Sequence, residues 1–176
     1  MRKLANSELN RLSREEFKFS PKLPVAVVLD NVRSLHNVGS VFRTADAFGV
    51  EILYLCGITG SPPHREIEKT ALGATLSVNW KYSGTTIETL ALLKKEGYVI
   101  ISVEQVDKSI KLDCFTPERG RKYALVFGHE VSGVSQAAVA FSDACIEIPQ
   151  SGTKHSLNIA VCAGIVLWEF ASALGG

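Results

Sequence analysis

The fold of this 176-residue chain is decided by Lys122-Tyr-Ala-Leu-Val-Phe-Gly-His-Glu130 and Ile148-Pro-Gln-Ser-Gly-Thr-Lys-His-Ser-Leu-Asn158. In each stretch an apolar run ends in a glycine-containing loop with a few polar side chains, and the second loop leads into a long apolar segment. Upstream, Asn37-Val-Gly-Ser-Val-Phe-Arg43 also follows an apolar run. Open α/β sheets build ligand sites from such strand ends, which supply backbone amides and single polar side chains. These three loops therefore predict one functional site.

Apolar runs alternate with helix-like segments along the chain, which predicts an α/β fold with a mostly parallel sheet and helices on both faces. Continuous apolar runs such as Val25–Leu29 suit strands buried on both sides. The predicted strands are Pro24–Asp30, Glu51–Cys56, Thr75–Lys81, Tyr98–Glu104, Tyr123–Phe127 and Ala144–Ile148, with an irregular stretch from 105 to Arg121. The predicted helices are a segment near Ala5–Phe17, then Asn37–Phe48, a short one around Arg65–Leu72, Thr85–Glu96, Gly133–Phe141 and about Ser156–Leu174.

The length suits a single domain, which we place at residues 25–176 behind a basic N-terminal arm at 1–24. The whole chain has a net charge of +1, whereas six basic and three acidic residues give the arm a local charge of +3. An arm of this kind suits contacts with phosphates, and a solvated helix face explains the charge equally well. The start lacks a secretory signal and no apolar run reaches membrane-span length, so we expect a cytoplasmic protein.

Several familiar kinds of site are not indicated. The four cysteines lack C-x-x-C spacing and lie mostly in apolar strings, which predicts reduced, buried thiols rather than disulfides or metal ligands. The four histidines, His36, His64, His129 and His155, lack metal-ligand spacing, so we expect no metal. Gly128 and Gly133 have phosphate-loop spacing, but Val134 stands where the phosphate-binding lysine is required.

Five polar residues in the three loops are the candidate catalytic residues: Asn37, Arg43, Glu130, Ser156 and Asn158. Each has a purely structural alternative. Asn37 suits a helix cap, Ser156 or Asn158 suits a cap of the last helix, and Arg43 and Glu130 suit an ordinary ion pair. Their position beside glycines in three strand-to-helix loops favours one shared site.

At these loops the sequence resembles the SpoU (TrmH-type) family of RNA 2′-O-ribose methyltransferases, within the SPOUT superfamily. The matching residues follow one another in the same order as in the family, from about Val25 to Phe170. Between the first two motifs, Lys69-Thr-Ala-Leu-Gly73-Ala74 also resembles a segment of the family. His129, Val131 and Ala160 depart from residues common in the family, which bears on substrate detail. The three motifs are Asn37-x-Gly39-x-x-x-Arg43-Thr-Ala-Asp-Ala-Phe-Gly49, Phe127-Gly-His-Glu130-x-x-Gly133-x-Ser135 and Ile148-Pro149-x-x-Gly152-x-x-x-Ser156-Leu-Asn158.

The resemblance implies a C-terminal trefoil knot and methyl transfer from S-adenosylmethionine to a ribose 2′-hydroxyl of tRNA or rRNA, without a metal. It places Arg43, from the other subunit, at the reacting hydroxyl, with the other four candidates orienting it and the ribose. It assigns the binding of S-adenosylmethionine to Phe127, Gly128, Ile148, Pro149, Ser156 and Leu157.

The last helix is apolar nearly all round, which predicts deep burial or packing on a second subunit, and hence a homodimer. A non-catalytic RNA-binding homodimer on the same scaffold remains an alternative, as does a small-molecule α/β enzyme unrelated to RNA. Binding of S-adenosylmethionine distinguishes the methyltransferase from the non-catalytic homodimer. Dependence of methyl transfer on RNA distinguishes it from the small-molecule enzyme.

Overall fold

The computed structural model describes residues 1–5, 8–9, 11–153 and 156–175. Within these ranges seven strands form one sheet in the order β3-β2-β1-β6-β4-β7-β5, and every pairing is parallel. The strands are β1 (Leu23–Asp30), β2 (Val50–Cys56), β3 (Trp80–Ser83), β4 (Tyr98–Val103), β5 (Ile110–Lys111), β6 (Lys122–Phe127) and β7 (Ala144–Glu147). The helices are α1 (Arg14–Phe19), α2 (Leu35–Ala47), α3 (Arg65–Ala71), α4 (Thr86–Lys95), α5 (Gln136–Phe141) and α6 (Ile159–Leu174).

Two hydrophobic cores cover the two faces of the sheet. Successive side chains of a strand point to opposite faces. Accordingly Val25, Val27 and Leu29 belong to a core with α2, α3 and α6, while Ala26 and Val28 belong to a core with α4 and α5. The predicted α/β fold, with a parallel sheet and helices on both faces, is confirmed.

The strand order determines where a ligand site forms. From β1 the chain continues to β2 and β3 on one side, then crosses to β4, with β6 inserted between β1 and β4. In open α/β sheets, ligands bind outside the carboxyl ends of the strands at such a reversal. The three predicted loops follow β1, β6 and β7 at this edge.

The predicted helix near Ala5–Phe17 is present only in its last part, as α1, and the described residues before Arg14 are not α-helical; residues 6, 7 and 10 lie outside the described part of the chain. The helix starts at Arg14, because Ser13 and Glu16 form a capping box: the Glu16 amide donates to Ser13 Oγ at 3.2 Å and the Ser13 amide to Glu16 Oε2 at 2.7 Å. It ends at Phe19, because Pro21 disfavours helical geometry at Ser20, which adopts an extended backbone.

The predicted strand Thr75–Lys81 is also mostly wrong. Ala74–Leu76 form a short 3₁₀ turn, and β3 starts only at Trp80. The hydroxyls in this segment bond to distant side chains: Thr75 Oγ1 donates to Glu68 Oε1 at 2.9 Å and Ser77 Oγ to Asp46 Oδ1 at 2.5 Å. Such side-chain bonds favour turns over a strand ladder.

Smaller differences concern boundaries and cysteines. α5 begins after its cap Ser135 and α6 after its cap Asn158, later than predicted, and β5 lies in the stretch expected to be irregular. The four cysteines are free thiols, but of the four Cys56 alone is buried, whereas Cys145 and Cys162 are partly buried and Cys114 is exposed. No helix of the described residues is long and apolar enough to cross a membrane. The trefoil knot stays a prediction.

Candidate functional site

A cavity of about 500 Å³ lies at the carboxyl ends of β4, β6 and β7. Residues from four parts of the chain line it, namely 103–105 after β4, 127–133 after β6, 147, 148 and 150 after β7, and 156–159 with 162 at the start of α6. Two of the three predicted loops therefore meet in one place, as parallel strands with a common edge require.

The loop after β6 is a tight turn between His129 and Gly133. The two residues exchange backbone hydrogen bonds, with the His129 amide donating at 2.9 Å and the Gly133 amide at 2.8 Å. His129 Nδ1 accepts from the Val131 amide at 3.0 Å, so its side chain also shapes the turn. A Cβ on Gly128 would lie 2.1 Å from the carbonyl carbon of Gly133 and the amide nitrogen of Val134. Only glycine fits there.

Two carboxylates that our sequence reasoning missed hold this loop in place. Glu104, just after β4, lines the cavity and accepts from the Val134 amide at 2.8 Å. Asp30, buried at the end of β1, accepts from the Ser135 amide at 2.8 Å and from Thr86 Oγ1 at 2.5 Å. In the sequence, each of the two is an acidic residue at the end of an apolar run, and this position could have identified both.

A chain of side-chain hydrogen bonds connects the three loops. Asn158 Nδ2 donates to Asn37 Oδ1 at 3.1 Å, and Asn37 Nδ2 donates to Glu130 Oε1 at 3.1 Å. The amides of Arg33 and Ser34, in the loop after β1, donate to Glu130 at 3.1 and 2.9 Å. Residues up to 121 positions apart thus form one network at the rim of the cavity.

Glu130 is kept ionised by this network. Partial burial alone would raise the pKa of its carboxyl group. Hydrogen bonds from the amides of Ser34, Glu130 and Arg33, and from the side chain of Asn37, outweigh that effect and hold the pKa below its usual value. A carboxylate with a lowered pKa is a stable acceptor and a weak base, which favours a positioning role.

The cavity has an acidic and partly apolar lining. Among the described residues that line it, Glu104, Glu130 and Glu147 are carboxylates, and no lysine or arginine is present. Burial, with a smaller contribution from Glu104, raises the pKa of the Cys162 thiol to about 11, so this thiol stays protonated. Apolar side chains for a flat ring system come from Phe127, Ile148, Leu157 and Ile159. We call this space the acidic cavity.

Most of the predicted residues meet here. Glu130 and Asn158 line the acidic cavity and Asn37 bonds to both. Arg43 does not: it lines a second cavity of about 310 Å³. Of the residues assigned to S-adenosylmethionine, Pro149 is not part of the lining; those in the lining are Phe127, Gly128, Ile148, Ser156 and Leu157.

The purely structural roles considered for these residues, helix capping and an ion pair, are only partly observed. Asn158 caps α6 through the Ala160 amide at 2.9 Å, so capping and the network coexist in one side chain. Asn37 is not a cap, because Ser34 caps α2. Within the described residues Arg43 and Glu130 form no ion pair. His155 lies outside the described residues, and within them no group of three or more His, Cys, Asp or Glu side chains is arranged to hold a metal ion.

The sequence profile of the SpoU rRNA Methylase family matches residues 24–168 of this chain. The chain belongs to this family. It is 32% identical to a 23S rRNA (guanosine-2′-O-)-methyltransferase of Neisseria meningitidis over 146 residues, which cover 83% of this chain and 57% of that enzyme. It is 30% identical to a tRNA (guanosine(18)-2′-O)-methyltransferase of Thermus thermophilus over 166 residues, which cover 93% of this chain and 82% of that enzyme.

Solved structures agree with this membership. The TrmH/SpoU tRNA modifying enzyme of A. aeolicus superposes with a TM-score of 0.80 at 29% identity, covering 91% of this chain and 79% of that one. An AdoMet-bound rRNA methyltransferase of Sinorhizobium meliloti gives 0.80 at 26% identity, covering 94% and 62%. The chain thus spans little more than half of some relatives and about four fifths of others.

Proposed function

We propose that this chain methylates a ribose 2′-hydroxyl of tRNA or rRNA, with S-adenosylmethionine as the donor. The observation that carries the proposal is the hydrogen-bond chain from Asn158 through Asn37 to Glu130 beside the acidic cavity. It joins the three segments in which the sequence resembles the methyltransferase motifs. Relatives that act on guanosine 2′-hydroxyls of tRNA and 23S rRNA support the reaction class.

The acidic cavity fits the donor by charge and size. A volume of about 500 Å³ lies in the usual range for small-molecule sites. When bound, S-adenosylmethionine supplies a methyl group on a positively charged sulfur, and this group needs no further activation. The carboxylates of Glu104, Glu130 and Glu147 favour a cation in this space. Backbone groups around Gly128 and Ile148 suit the polar edge of an adenine.

The reaction needs a group from a second copy of the chain. Asn37 and Arg43 are six residues apart on α2, which places them about 9 Å apart along the helix and about 120° apart around it. Asn37 belongs to the network at the acidic cavity, whereas Arg43 lines the other cavity. We therefore propose a homodimer in which Arg43 of one chain completes the acidic cavity of its partner.

An exposed apolar face of α6 supports the dimer. Val161, Ile165 and Trp168 are 53%, 39% and 62% exposed, and their spacing places them on one side of the helix. Gly164 lies in the same turn, and a Cβ there would meet nothing within 4 Å. Such a stripe beside the site suits a second copy of this helix, because burial of apolar area drives association.

The side chains of the proposed site have different roles in the reaction. A guanidinium group is a permanent cation in proteins, so Arg43 serves as an anchor for the neighbouring phosphate. It also stabilises the negative charge that develops on the 2′-oxygen as the hydroxyl proton passes to water and the methyl group leaves the donor sulfur. Glu130, Asn37 and Asn158 hold the loops in register and orient the ribose. The site assembled from two chains holds the 2′-oxygen in line with the methyl–sulfur bond of the donor. We expect the reaction to take place in the cytoplasm.

The test is methyl transfer from isotope-labelled S-adenosylmethionine to total RNA, followed by digestion and mass spectrometry of the nucleosides. We expect label in 2′-O-methylnucleosides and none in a matched DNA substrate, because only RNA carries the hydroxyl. Nucleotide-resolved mapping in cells with and without the gene identifies the target.

Two other results would replace the proposal. RNA binding without detectable heat from millimolar S-adenosylmethionine in calorimetry indicates a non-catalytic RNA-binding homodimer. Methyl transfer to a small molecule in the absence of RNA indicates an unrelated α/β enzyme.

A further inference from the structure

His129 begins the tight turn after β6 and lines the acidic cavity. It is one of the positions at which this chain departs from residues common in its family. Its Nδ1 atom lies 3.0 Å from the amide nitrogen of Val131 and 3.3 Å from that of Ser132. One ring nitrogen of His129 therefore binds two backbone amides of the turn.

These two amides determine which nitrogen of the imidazole carries the proton. A backbone amide only donates, so Nδ1 is the acceptor in both bonds. In a neutral imidazole one nitrogen accepts and the other bears the hydrogen. The hydrogen-bond partners thus assign the proton of His129 to Nε2. A protonated imidazole bears hydrogen on both nitrogens, so it accepts neither bond.

The backbone around this turn is packed too tightly to move freely. A Cβ on Gly128 would lie 2.1 Å from backbone atoms of Gly133 and Val134. A Cβ on Gly133 would lie 2.1 Å from Glu104 Oε2, which itself accepts the Val134 amide at 2.8 Å. Residues 127–133 line the acidic cavity. A rearranged turn therefore means a rearranged wall of this cavity.

The groups around His129 do not titrate in the same pH range. Carboxyl groups ordinarily change charge near pH 4, whereas histidine does so between about pH 5 and pH 8. Burial keeps the Cys162 thiol protonated by raising its pKa to about 11. The described charged and titratable neighbours are Arg33 before α2, Glu104 after β4, Glu130 in the turn itself, Glu147 after β7 and Cys162 in α6.

We propose that His129 is a positioning residue for donor binding, which holds the wall of the acidic cavity only while its imidazole is neutral. Protonation places a hydrogen on Nδ1 against the amides of Val131 and Ser132. The imidazole then leaves the turn, and the affinity for the donor falls as the pH falls. This inference rests on the proposed function for the identity of the ligand, S-adenosylmethionine.

His129→Asn separates the hydrogen-bond acceptor from the titration. Asparagine Oδ1 is bonded to Cγ, as histidine Nδ1 is, and accepts the amide two residues on in turns without titrating. In calorimetry, wild-type affinity for S-adenosylmethionine should fall about tenfold between about pH 7.5 and about pH 5.5, because two amides lose their acceptor. His129→Ala should bind about tenfold more weakly at both pH values, and His129→Asn should restore most of this loss at both.

Two controls separate the turn from other effects of pH. His64 Nδ1 also accepts an amide, that of Glu66 at 3.2 Å, but His64 is not among the residues that line either cavity. His64→Asn should therefore keep the wild-type pH dependence. S-adenosylhomocysteine has the same amino group as the donor and no charge on sulfur. Its affinity should fall by the same factor, because the change lies in the shape of the cavity.

Nitrogen NMR of the free protein tests the turn without any ligand. We expect the proton on Nε2 of His129 at about pH 7.5. At about pH 5.5 the amides of Val131 and Ser132 should lose protection against hydrogen exchange, and His129→Asn should prevent this loss.

Each outcome decides between the possibilities. A proton on Nδ1 at the higher pH overturns the inference, and so does the same pH dependence of binding in wild type and His129→Asn. A fall confined to S-adenosylmethionine also overturns it, because repulsion between two cations is then the cause. The expected NMR result without binding of either ligand at any pH supports the turn held by His129 and refutes the proposed function.

Discussion

The acidic cavity and the second cavity, which we call the basic cavity because Arg11, Arg14 and Arg43 line it, have opposite charge and are built in different ways. The acidic cavity is formed by the ends of three neighbouring strands, and carboxylates dominate its charged lining. The basic cavity is formed by the arm, α2 and the turn that ends α3, and arginines dominate its charged lining. Helix α2 contributes to both, through Asn37 and Arg43. The difference in charge favours a cation in the acidic cavity and an anion in the basic cavity, and in the proposed homodimer the two would meet between copies.

The largest effect should come from Gly128→Ala. The new Cβ would lie 2.1 Å from backbone atoms of Gly133 and Val134, so the turn must move. We expect the affinity for S-adenosylmethionine to fall by about 10²-fold or more in calorimetry, with RNA affinity little changed. Gly152→Ala is the matched control, because its Cβ would meet nothing within 4 Å. Donor binding at the normal affinity by Gly128→Ala would show that this turn does not shape the cavity.

Arg43→Ala should lower turnover by about 10²-fold or more, since it removes an electrostatic stabiliser. The affinity for S-adenosylmethionine should stay within about twofold, because in the proposed dimer Arg43 contacts the RNA phosphate and the 2′-oxygen rather than the donor. Arg43→Lys should recover little of the rate, since lysine lacks the paired donors. Single-turnover kinetics at saturating RNA measure both variants. Turnover close to normal in Arg43→Ala would remove Arg43 from the reaction.

Ile165→Asp should dissociate the dimer by placing a charge in the apolar face of α6. We expect a monomer at micromolar concentration in analytical ultracentrifugation and about tenfold lower activity that recovers as the protein is concentrated. The control is Leu92→Asp on α4, where a leucine of similar exposure, 43% against 39%, lies on the opposite face of the sheet. A dimer that survives Ile165→Asp would place the interface elsewhere.

The smallest effect concerns Glu130 and pH. Because the folded protein lowers its pKa, the network contributes stability at neutral pH, and this contribution is lost as the pH falls through the folded-state value. Because Glu130 is exposed and water screens its charge, Glu130→Gln should cost no more than about 0.5 kcal/mol at pH 7, and progressively less below about pH 4. Urea unfolding across pH measures the difference, with Asp107→Asn as an exposed control. A cost that is independent of pH would contradict an ionised Glu130.

Much of the fold follows from local patterns. β1, β4 and β6 were predicted within one residue at each end, because two-sided burial requires continuous apolar runs. The sequence also predicts that the loops after β6 and β7 lie close together, because neighbouring parallel strands end at the same edge of the sheet. The division into an arm at 1–24 and a domain at 25–176 stays a prediction.

The failures concern partners that are distant in sequence. Thr75 and Ser77 have β-strand character, but their hydroxyls bond to Glu68 and Asp46, which no local pattern indicates. Glu104 was counted only as the last residue of a strand, although it accepts an amide 30 positions away. Arg43 was placed correctly on a helix, but its assignment to the basic cavity required the position of the arm.

Coexpression of two inactive chains tests the central claim most directly. One chain carries Arg43→Ala and keeps its acidic cavity, and the other carries Gly128→Ala and keeps Arg43. Purification through two different tags isolates the mixed dimer. Asn158→Ala replaces Gly128→Ala if the latter does not assemble. A site shared between subunits predicts about half of the wild-type activity, since one of the two sites is intact. Activity no higher than that of either variant alone would show that each chain works by itself.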